Sequence, residues 1–452
     1  MPDTALRAIA AATATEFGIP GLAIGVWANG REHFACHGVT SVENPLPVDE
    51  NTLFQLGSIT KPLTATVIMR LVTDGVLDLD APVRRYLPEF VLAEERAAAR
   101  ITLAQLLNHT SGLDWSIIND TGEGDGALAD FVATLAELPL IGAPGERASY
   151  SQAGFNVLGR LIEKVTGQTY EQAVTSIILA PLGLANTVFT EREAMTRRFA
   201  VGHDIGADGT LSVAHPWKPT RANNPGGGVA SSVSDQLRWA RFHLGDGAPI
   251  LPAGTVRRMQ DPTVALRGSS LGDAFGTCWF LREIDGVQTV GHGGSSIGQF
   301  GELLLVPDRD FALIVVANAG PDGIPANQAV VRWALEHYLG LLDRDPEPIP
   351  FDAVRAAEVT GHYENDAMTF DIRSDGAVLS LEVLIKPELR AAAEEELPAD
   401  HAPFEFGLLP GDGDEYVITS GAFSGHRGYF SRDERGAVTG VDLAGRLFSR
   451  TA

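Results

Sequence analysis

The chain has 452 residues, more than one hydrophobic core usually organises, so its length predicts two domains. Apolar residues make up 44%, which is ample for packed interiors. A formal net charge of -24 argues against nucleic acid or an anionic membrane surface as a partner, because both require a basic face. No apolar run approaches the roughly 18 residues of a membrane helix. The first residues show no basic segment followed by an apolar one, which predicts a cytoplasmic protein and leaves open a secreted form that has lost its leader.

The predicted elements begin with a helix and a hairpin and end with a sheet and a helix. Helical spacing predicts many helices between residues 59 and 165. In chain order the other elements are a helix at 5–17, strands at 21–27 and 31–36 around a turn at 28–30, strands at 275–282, 288–291, 299–306 and 311–317, and a helix at 325–342. Strands at both ends with helices between them predict an α+β domain whose antiparallel sheet joins the two ends of the domain.

A proline-rich, charged run at residues 343–352 predicts an extended linker with few contacts. It separates a first domain at 1–342 from a second at 353–452. In the second domain, short alternating segments lie between Gly and Asp turns, a pattern typical of a small β-barrel or sandwich.

The cysteine and histidine patterns do not indicate a cofactor. Cys36 and Cys278 are far apart without C-x-x-C spacing, which predicts two reduced core thiols rather than a bridge or a metal site. The histidines lack H-x-x-x-H or H-x-H spacing, and there is no glycine-rich phosphate loop. We therefore expect no metal and no organic cofactor.

The segment Ser58-Ile-Thr-Lys61 follows a predicted short strand at 53–56 and opens a predicted helix with Pro62 in its first turn. Helical i, i+3 spacing places Lys61 beside Ser58. A buried lysine can lose its proton near neutrality and accept one from the serine hydroxyl, while the helix N-terminus favours the developing anion. S-x-x-K alone is a weak pattern, but lysine is scarce in this chain. The lysines are Lys61, Lys164, Lys218 and Lys386.

Two further polar segments lie downstream. Tyr150-Ser-Gln152 lies in a loop before a helix predicted at 155–165, and it offers a phenol as base or proton carrier and an amide two residues later. His292-Gly-Gly-Ser295 follows the strand predicted at 288–291, where glycines let a substrate approach the backbone. Taken singly, Tyr150 is more typical of a loop anchor and His292 of a turn residue.

Together, Ser58-x-x-Lys61, Tyr150-x-Gln152 and His292-Gly-Gly294 resemble the three motifs of the serine β-lactamase and penicillin-binding-protein family. The class C-like branch, with its family VIII-type esterases and D-aminopeptidases, is the most similar. Leu106-Leu-Asn-His-Thr-Ser-Gly112 and Gly226-Gly-Gly-Val-Ala-Ser-Ser232 look like structural signatures of that branch.

This resemblance extends over residues 5–342 and implies a fold and a chemistry. The fold is an antiparallel sheet flanked by helices with an all-helical subdomain, and the C-terminal segment is similar to a small lipocalin-like β-barrel found in some members. The implied chemistry has Ser58 attacking the acyl carbon, Lys61 and Tyr150 sharing the work of a general base, and Tyr150 protonating the leaving group. The implied oxyanion hole consists of the backbone N–H groups of Ser58 and Ser295. The implied catalytic residues are Ser58, Lys61, Tyr150 and His292, and the implied substrate-binding residues are Gln152, Gly293, Gly294 and Ser295.

Two positions depart from the family pattern. The second motif usually ends in Asn, which holds the lysine and the amide side chain of the substrate, whereas Gln152 is one methylene longer. The third motif usually begins with Lys, and His292 stands there instead. We expect weaker binding of a β-lactam carboxylate, with turnover improving below about pH 6.5 if a charged His292 acts as its anchor.

The sequence therefore predicts a serine hydrolase that cleaves a small ester or amide through an acyl-enzyme on Ser58. The alternatives are a peptidase for D-amino-acid or other small peptides, an acyltransferase, and an acyl-binding protein that does not turn over. A further alternative places the function in the C-terminal barrel, as a binder of a lipid-like ligand. Homo-oligomerisation stays open.

Overall fold

The computed structural model describes residues 3–113, 120–206, 209–365, 367–387, 390, 402–421 and 423–451. These residues form two compact units. The larger unit contains the described residues of 3–264 and 274–343, and the smaller unit contains 265–273 and the described residues after 343. No helix within these residues is long and apolar enough to span a membrane.

Helices occupy most of the larger unit between its first hairpin and its late strands. The α-helices are α1 (Thr4–Glu16), α2 (Lys61–Thr73), α3 (Glu95–Ala98), α4 (Leu103–Leu107), α5 (Ala127–Thr134), α6 (Ala153–Thr166), α7 (Tyr170–Val174), α8 (Ala180–Leu182), α9 (Glu191–Ala194), α10 (Asn224–Gly227), α11 (Val233–Leu244), α12 (Thr255–Met259) and α13 (Gly323–Ala334). Short 3₁₀ helices lie at Gly57–Thr60, Val83–Arg85, Leu135–Glu137, Arg221–Asn223 and Pro307–Arg309, and π-helical turns at Thr175–Leu179 and Leu335–Leu339.

The strands up to residue 317 form one large sheet and two small ones. They are β1 (Gly21–Ala28), β2 (Arg31–Gly38), β3 (Phe54–Gln55), β4 (Thr187–Val188), β5 (His203–Ile205), β6 (Leu211–Val213), β7 (Ala230–Ser231), β8 (Val264–Ser269), β9 (Gly272–Phe275), β10 (Phe280–Ile284), β11 (Val287–Ser296), β12 (Gln299–Val306) and β13 (Phe311–Ala317). The large sheet has the order β2-β1-β13-β12-β11-β10-β9-β8. Because β1 pairs antiparallel with β13, the predicted sheet that joins distant parts of the chain is confirmed.

Two apolar layers cover the large sheet. On one side α1 and α13 pack over a core that includes Leu22, Leu313 and Val315. On the other side a larger core includes residues of α2 and α11 and the strand residues Leu303 and Ile314. Alternation along β12 and β13 sends successive side chains to opposite layers. The central strands β1 and β13 are therefore buried on both faces and almost continuously apolar.

The prediction of one continuous strand at 275–282 is wrong. It is interrupted between β9 and β10, where Cys278 has a positive φ of 76°. Its neighbour Gly276 donates its N–H to Trp279 O. A backbone turn of this kind breaks the ladder, which an apolar run in the sequence does not reveal.

The smaller unit contains a closed eight-stranded barrel, as the sequence predicted. Its elements are α14 (Ala353–Val359), β14 (Gly361–Glu364), β15 (Met368–Ser374), β16 (Leu379–Ile385), β17 (Phe404–Leu408), β18 (Glu415–Ile418), β19 (Arg427–Arg432), β20 (Val438–Leu443) and β21 (Arg446–Arg450). Large side chains pack together in its core: Tyr363, Phe370, Phe406, Tyr416, Phe430 and Phe448. This filling counts against the alternative of a lipid-like ligand inside the barrel.

The proline-rich run before the barrel has more contacts than the sequence suggested. Ile349 packs against the barrel core and donates its N–H to Leu408 O over 2.8 Å. The prolines prevent this run from forming a helix, but they do not prevent its apolar residues from packing.

Candidate active site

The nucleophile turn lies between β3 and α2. Gly57 has a φ of +50°, a conformation that favours glycine, and the following 3₁₀ turn places Ser58 just before the helix. Lys61 begins α2, and its Nζ lies 3.0 Å from Ser58 Oγ. The structure therefore brings Ser58 and Lys61 together as their spacing predicted, across a junction of 3₁₀ and α-helix rather than within one α-helix.

The amine of Lys61 is buried and held by groups from three parts of the chain. Its Nζ donates to Gln152 Oε1 over 2.5 Å and to Gly226 O over 2.7 Å. These two oxygens can only accept, whereas the Ser58 hydroxyl can either donate or accept. A neutral amine would thus satisfy both oxygens with its N–H groups and keep a lone pair for the proton of Ser58.

The side-chain amide of Gln152 forms hydrogen bonds to two parts of the site. Its Oε1 accepts from Lys61, and its Nε2 donates to Asn223 Oδ1. The Gly226 backbone lies against this amide, so a Cβ at Gly226 would collide with Gln152 Nε2. Each of these two atoms keeps capacity for one further hydrogen bond, so the expectation that Gln152 also contacts a substrate stays a prediction.

Asn223 and the carbonyl of Gly226 are site components that lie outside the three sequence motifs. They belong to a short 3₁₀ helix and to α10. The only sequence signal for them was the glycine-rich segment that begins at Gly226, which looked like a structural signature rather than a source of hydrogen bonds.

Tyr150 lies just before α6 with its side chain buried among rings. The ring centroid of His109 is 4.4 Å from that of Tyr150, and those of Phe280 and His292 are 6.0 and 6.2 Å away. Lys61 Nζ is 4.8 Å from the centroid of the Tyr150 ring. The three motifs of the sequence therefore converge on one site.

His109 is a further component of the site, in the segment 106–112 whose sequence indicates only a structural role. Its backbone has a positive φ of 60°, and its Nδ1 accepts the N–H of Ser151 over 3.1 Å. This hydrogen bond and the ring contact hold the loop that carries Tyr150.

Strand β11 carries the third motif and offers an open edge. Strand β10 pairs with β11 only at residues 287–291, whereas β12 pairs along residues 290–296. A Cβ at Gly294 would lie 3.0 Å from Ser58 N, and one at Gly57 would lie 2.8 Å from Ser295 N. The backbones of Ser58 and Ser295 are therefore close neighbours, which is what two N–H donors to one oxyanion require.

The expectation that His292 becomes an acid-side anion anchor is wrong. The imidazole is fully buried and stacks on Phe280 with a centroid distance of 4.1 Å. Burial lowers the pKa of His292 to about 3, and the positive field of Lys61 acts in the same direction. His292 is thus neutral at pH 7 and remains so at about pH 5. Its Nδ1 lies 2.6 Å from Gly293 O, which assigns the proton to Nδ1 and leaves Nε2 as an acceptor.

Comparison with known proteins decides the family. Residues 6–354 match the sequence profile of the family described as Beta-lactamase. The chain belongs to the β-lactamase family. It is similar to penicillin-binding protein 4 of Amycolatopsis lactamdurans, with 35% identity over 315 residues that cover 68% of this chain and 82% of that protein. The chain is thus a member of the β-lactamase and penicillin-binding-protein superfamily of serine hydrolases.

Solved structures extend the similarity to the barrel. The crystal structure of SurE with D-Leu has a TM-score of 0.76 and 27% identity, and the match covers 99% of each chain. D-amino acid amidase from Ochrobactrum anthropi SV3, complexed with D-phenylalanine, has a TM-score of 0.62 and 25% identity, covering 72% of this chain and 96% of that chain. The combination of this fold with a C-terminal barrel therefore also occurs in SurE.

Proposed function

We propose that this protein hydrolyses a small ester or amide through an acyl-enzyme on Ser58. The observation that carries the proposal is the position of the Ser58 hydroxyl 3.0 Å from the amine of Lys61, which also donates to Gln152 Oε1 and Gly226 O. A serine hydroxyl becomes a nucleophile when an adjacent base takes its proton.

In the first half-reaction, Ser58 Oγ forms a bond to the acyl carbon while its proton passes to Lys61 Nζ. The carbonyl oxygen becomes an oxyanion between the N–H groups of Ser58 and Ser295. As the bond to the leaving group breaks, Tyr150 donates a proton to it and recovers one from Lys61. In the second half-reaction, water attacks the acyl carbon, loses its proton to the same pair of residues, and releases Ser58.

Labelling with a fluorophosphonate probe tests the nucleophile. Wild-type protein should carry one adduct on Ser58, and Ser58→Ala should carry none. Ser295→Ala is the matched control, because Ser295 is exposed and the proposal uses only its backbone N–H. An adduct on another serine, or full labelling of Ser58→Ala, would disprove the assignment.

A second candidate substrate class is the D-amino-acid amide. The D-Leu in SurE and the D-phenylalanine in D-amino acid amidase favour it, since both proteins share this fold with at least 25% identity in the matches described. A panel of p-nitrophenyl acetate, D- and L-amino-acid p-nitroanilides and a chromogenic cephalosporin would separate the two classes. We expect the cephalosporin to be the poorest substrate, because the third motif begins with the neutral His292 instead of a cation. A burst of product without turnover would instead identify the acyl-binding alternative, and products with an added amine would identify acyl transfer.

A further inference from the structure

Glu302 places a carboxyl group behind the third motif. It lies on β12 directly opposite Gly293 of β11. A Cβ at Gly293 would lie 2.8 Å from Glu302 Oε2, so the carboxyl occupies the space that a side chain at Gly293 would fill. Opposed residues in an antiparallel pair share a face, so Glu302 lies on the face of Gly293 and Ser295. Ser295 is exposed, which shows that this face is open to solvent near the proposed oxyanion hole.

The carboxyl of Glu302 is available to a ligand. It is half-buried, and it forms no hydrogen bond or ion pair with any residue in the described part of the chain. The charge of Arg282 acts to lower the pKa of Glu302, but its guanidinium already binds both oxygens of Asp343 at 2.6 and 3.0 Å. Burial raises the pKa of Glu302 to about 7, which is the expected response of a carboxyl that lacks a cation partner.

The imidazole at the start of the same motif adds acceptor character. His292 Nε2 is buried without a hydrogen-bond partner, and the neutral ring with its proton on Nδ1 leaves this nitrogen as an acceptor. Side chains alternate along β11 and Glu302 is paired with Gly293, so His292 and Glu302 lie on opposite faces of the sheet. Neither residue therefore supplies a cation near Gly293, and the Glu302 carboxyl suits a ligand with N–H donors and repels a carboxylate.

We propose that Glu302 is a specificity-determining residue that binds a primary ammonium group on the acyl donor and disfavours a carboxylate at the same place. This inference deepens the proposed function and rests on it, since the ammonium must lie near an acyl group presented to Ser58. The substrate class that it names is an amino acid amide or ester with a free amine.

Three matched substrates test the inference on the full chain: D-alanine p-nitroanilide, its N-acetyl derivative and its N-succinyl derivative. Glu302→Gln keeps the size of the side chain and removes its charge, and Glu283→Gln, at an exposed carboxyl of β10, is the control. We expect Glu302→Gln to lower kcat/KM for the free amine about tenfold, mainly through KM, as the loss of a partly buried charge pair does. The N-acetyl substrate should be unaffected, the N-succinyl substrate should improve, and the control should change none of them. An unchanged ratio of free-amine to N-acetyl rates in Glu302→Gln would overturn the inference.

Binding to Ser58→Ala protein separates this inference from the proposed function. D-alaninamide should bind Ser58→Ala about tenfold more tightly than it binds the Ser58→Ala/Glu302→Gln double variant. N-acetyl-D-alaninamide should bind both proteins equally. Equal affinities of D-alaninamide would overturn the role of Glu302. Fluorophosphonate labelling of the wild-type protein reports separately on Ser58. If the wild-type protein is not labelled but the affinity difference between the two Ser58→Ala proteins is found, the proposed chemistry is disproved and the amine site is supported.

Discussion

Replacing Gln152 with glutamate tests whether Lys61 works as a neutral base. Gln152 Oε1 lies 2.5 Å from Lys61 Nζ, and glutamate has the same length, so an oxygen would stay beside the amine. The new carboxylate would stabilise the ammonium form. At a charge separation of about 4 Å and an effective dielectric constant of about 20, the attraction is about 4 kcal/mol, which lowers the neutral fraction of the amine roughly 10³-fold.

We therefore expect Gln152→Glu to lower kcat/KM for p-nitrophenyl acetate by about 10² to 10³ near pH 7 and to regain activity as the pH rises toward about 10. The matched control is Gln152→Asn, which withdraws the amide oxygen without adding charge. It should cost about 1 to 3 kcal/mol for the lost hydrogen bond, and this loss should not recover with pH.

The assay is a set of initial-rate profiles for the three proteins, with thermal unfolding followed by circular dichroism to confirm that each is folded. If Gln152→Glu kept wild-type activity near neutrality, or if its loss were as independent of pH as that of Gln152→Asn, then Lys61 would not act as a neutral base.

Three further results follow from the same geometry. Lys61→Ala and Tyr150→Phe should each reduce turnover by about 10² to 10⁴. The double variant should be little slower than the worse single variant, because Lys61 and Tyr150 pass the same proton. If the two effects multiplied, the two residues would act independently. Because burial lowers the pKa of His292 to about 3, the ratio of cephalosporin hydrolysis to p-nitrophenyl acetate hydrolysis should not rise between about pH 7 and pH 5. A rise in that ratio near pH 6.5 would show that the imidazole becomes charged. Gly294→Ala should lower kcat by about 10² or more, because the added Cβ would collide with Leu56 O, would lie 3.0 Å from Ser58 N and would shift the turn that carries this oxyanion donor. Normal turnover by a folded variant would remove Ser58 N from the oxyanion hole.

Local features of the chain were predictable because they depend on near neighbours in sequence. The first hairpin follows from two alternating runs around Asn29-Gly30, and both of these residues have the positive φ that such a turn requires. The pairing of Ser58 with Lys61 follows from three-residue spacing at a helix start. The barrel follows from short alternating segments separated by Gly and Asp turns, although nothing in that pattern showed how firmly the preceding proline-rich run would pack.

The properties that set chemistry and specificity depend on contacts between distant residues. The amide of Gln152 is engaged by Lys61 and by Asn223, which are 91 and 71 residues away in sequence. The charge state of His292 follows from its burial against Phe280, and the motif alone gave no measure of that burial.

By itself, the sequence determined which residues could act as nucleophile, base and proton donor, because their types and spacings are constrained by covalent geometry and helical periodicity. Only the tertiary structure decided which hydrogen bonds these residues form and which groups are neutral. It also decided that the carboxyl of Glu302 lies behind Gly293. The physical reason is that hydrogen-bond partners and desolvation depend on every group packed around a side chain. Most of those groups come from other parts of the chain.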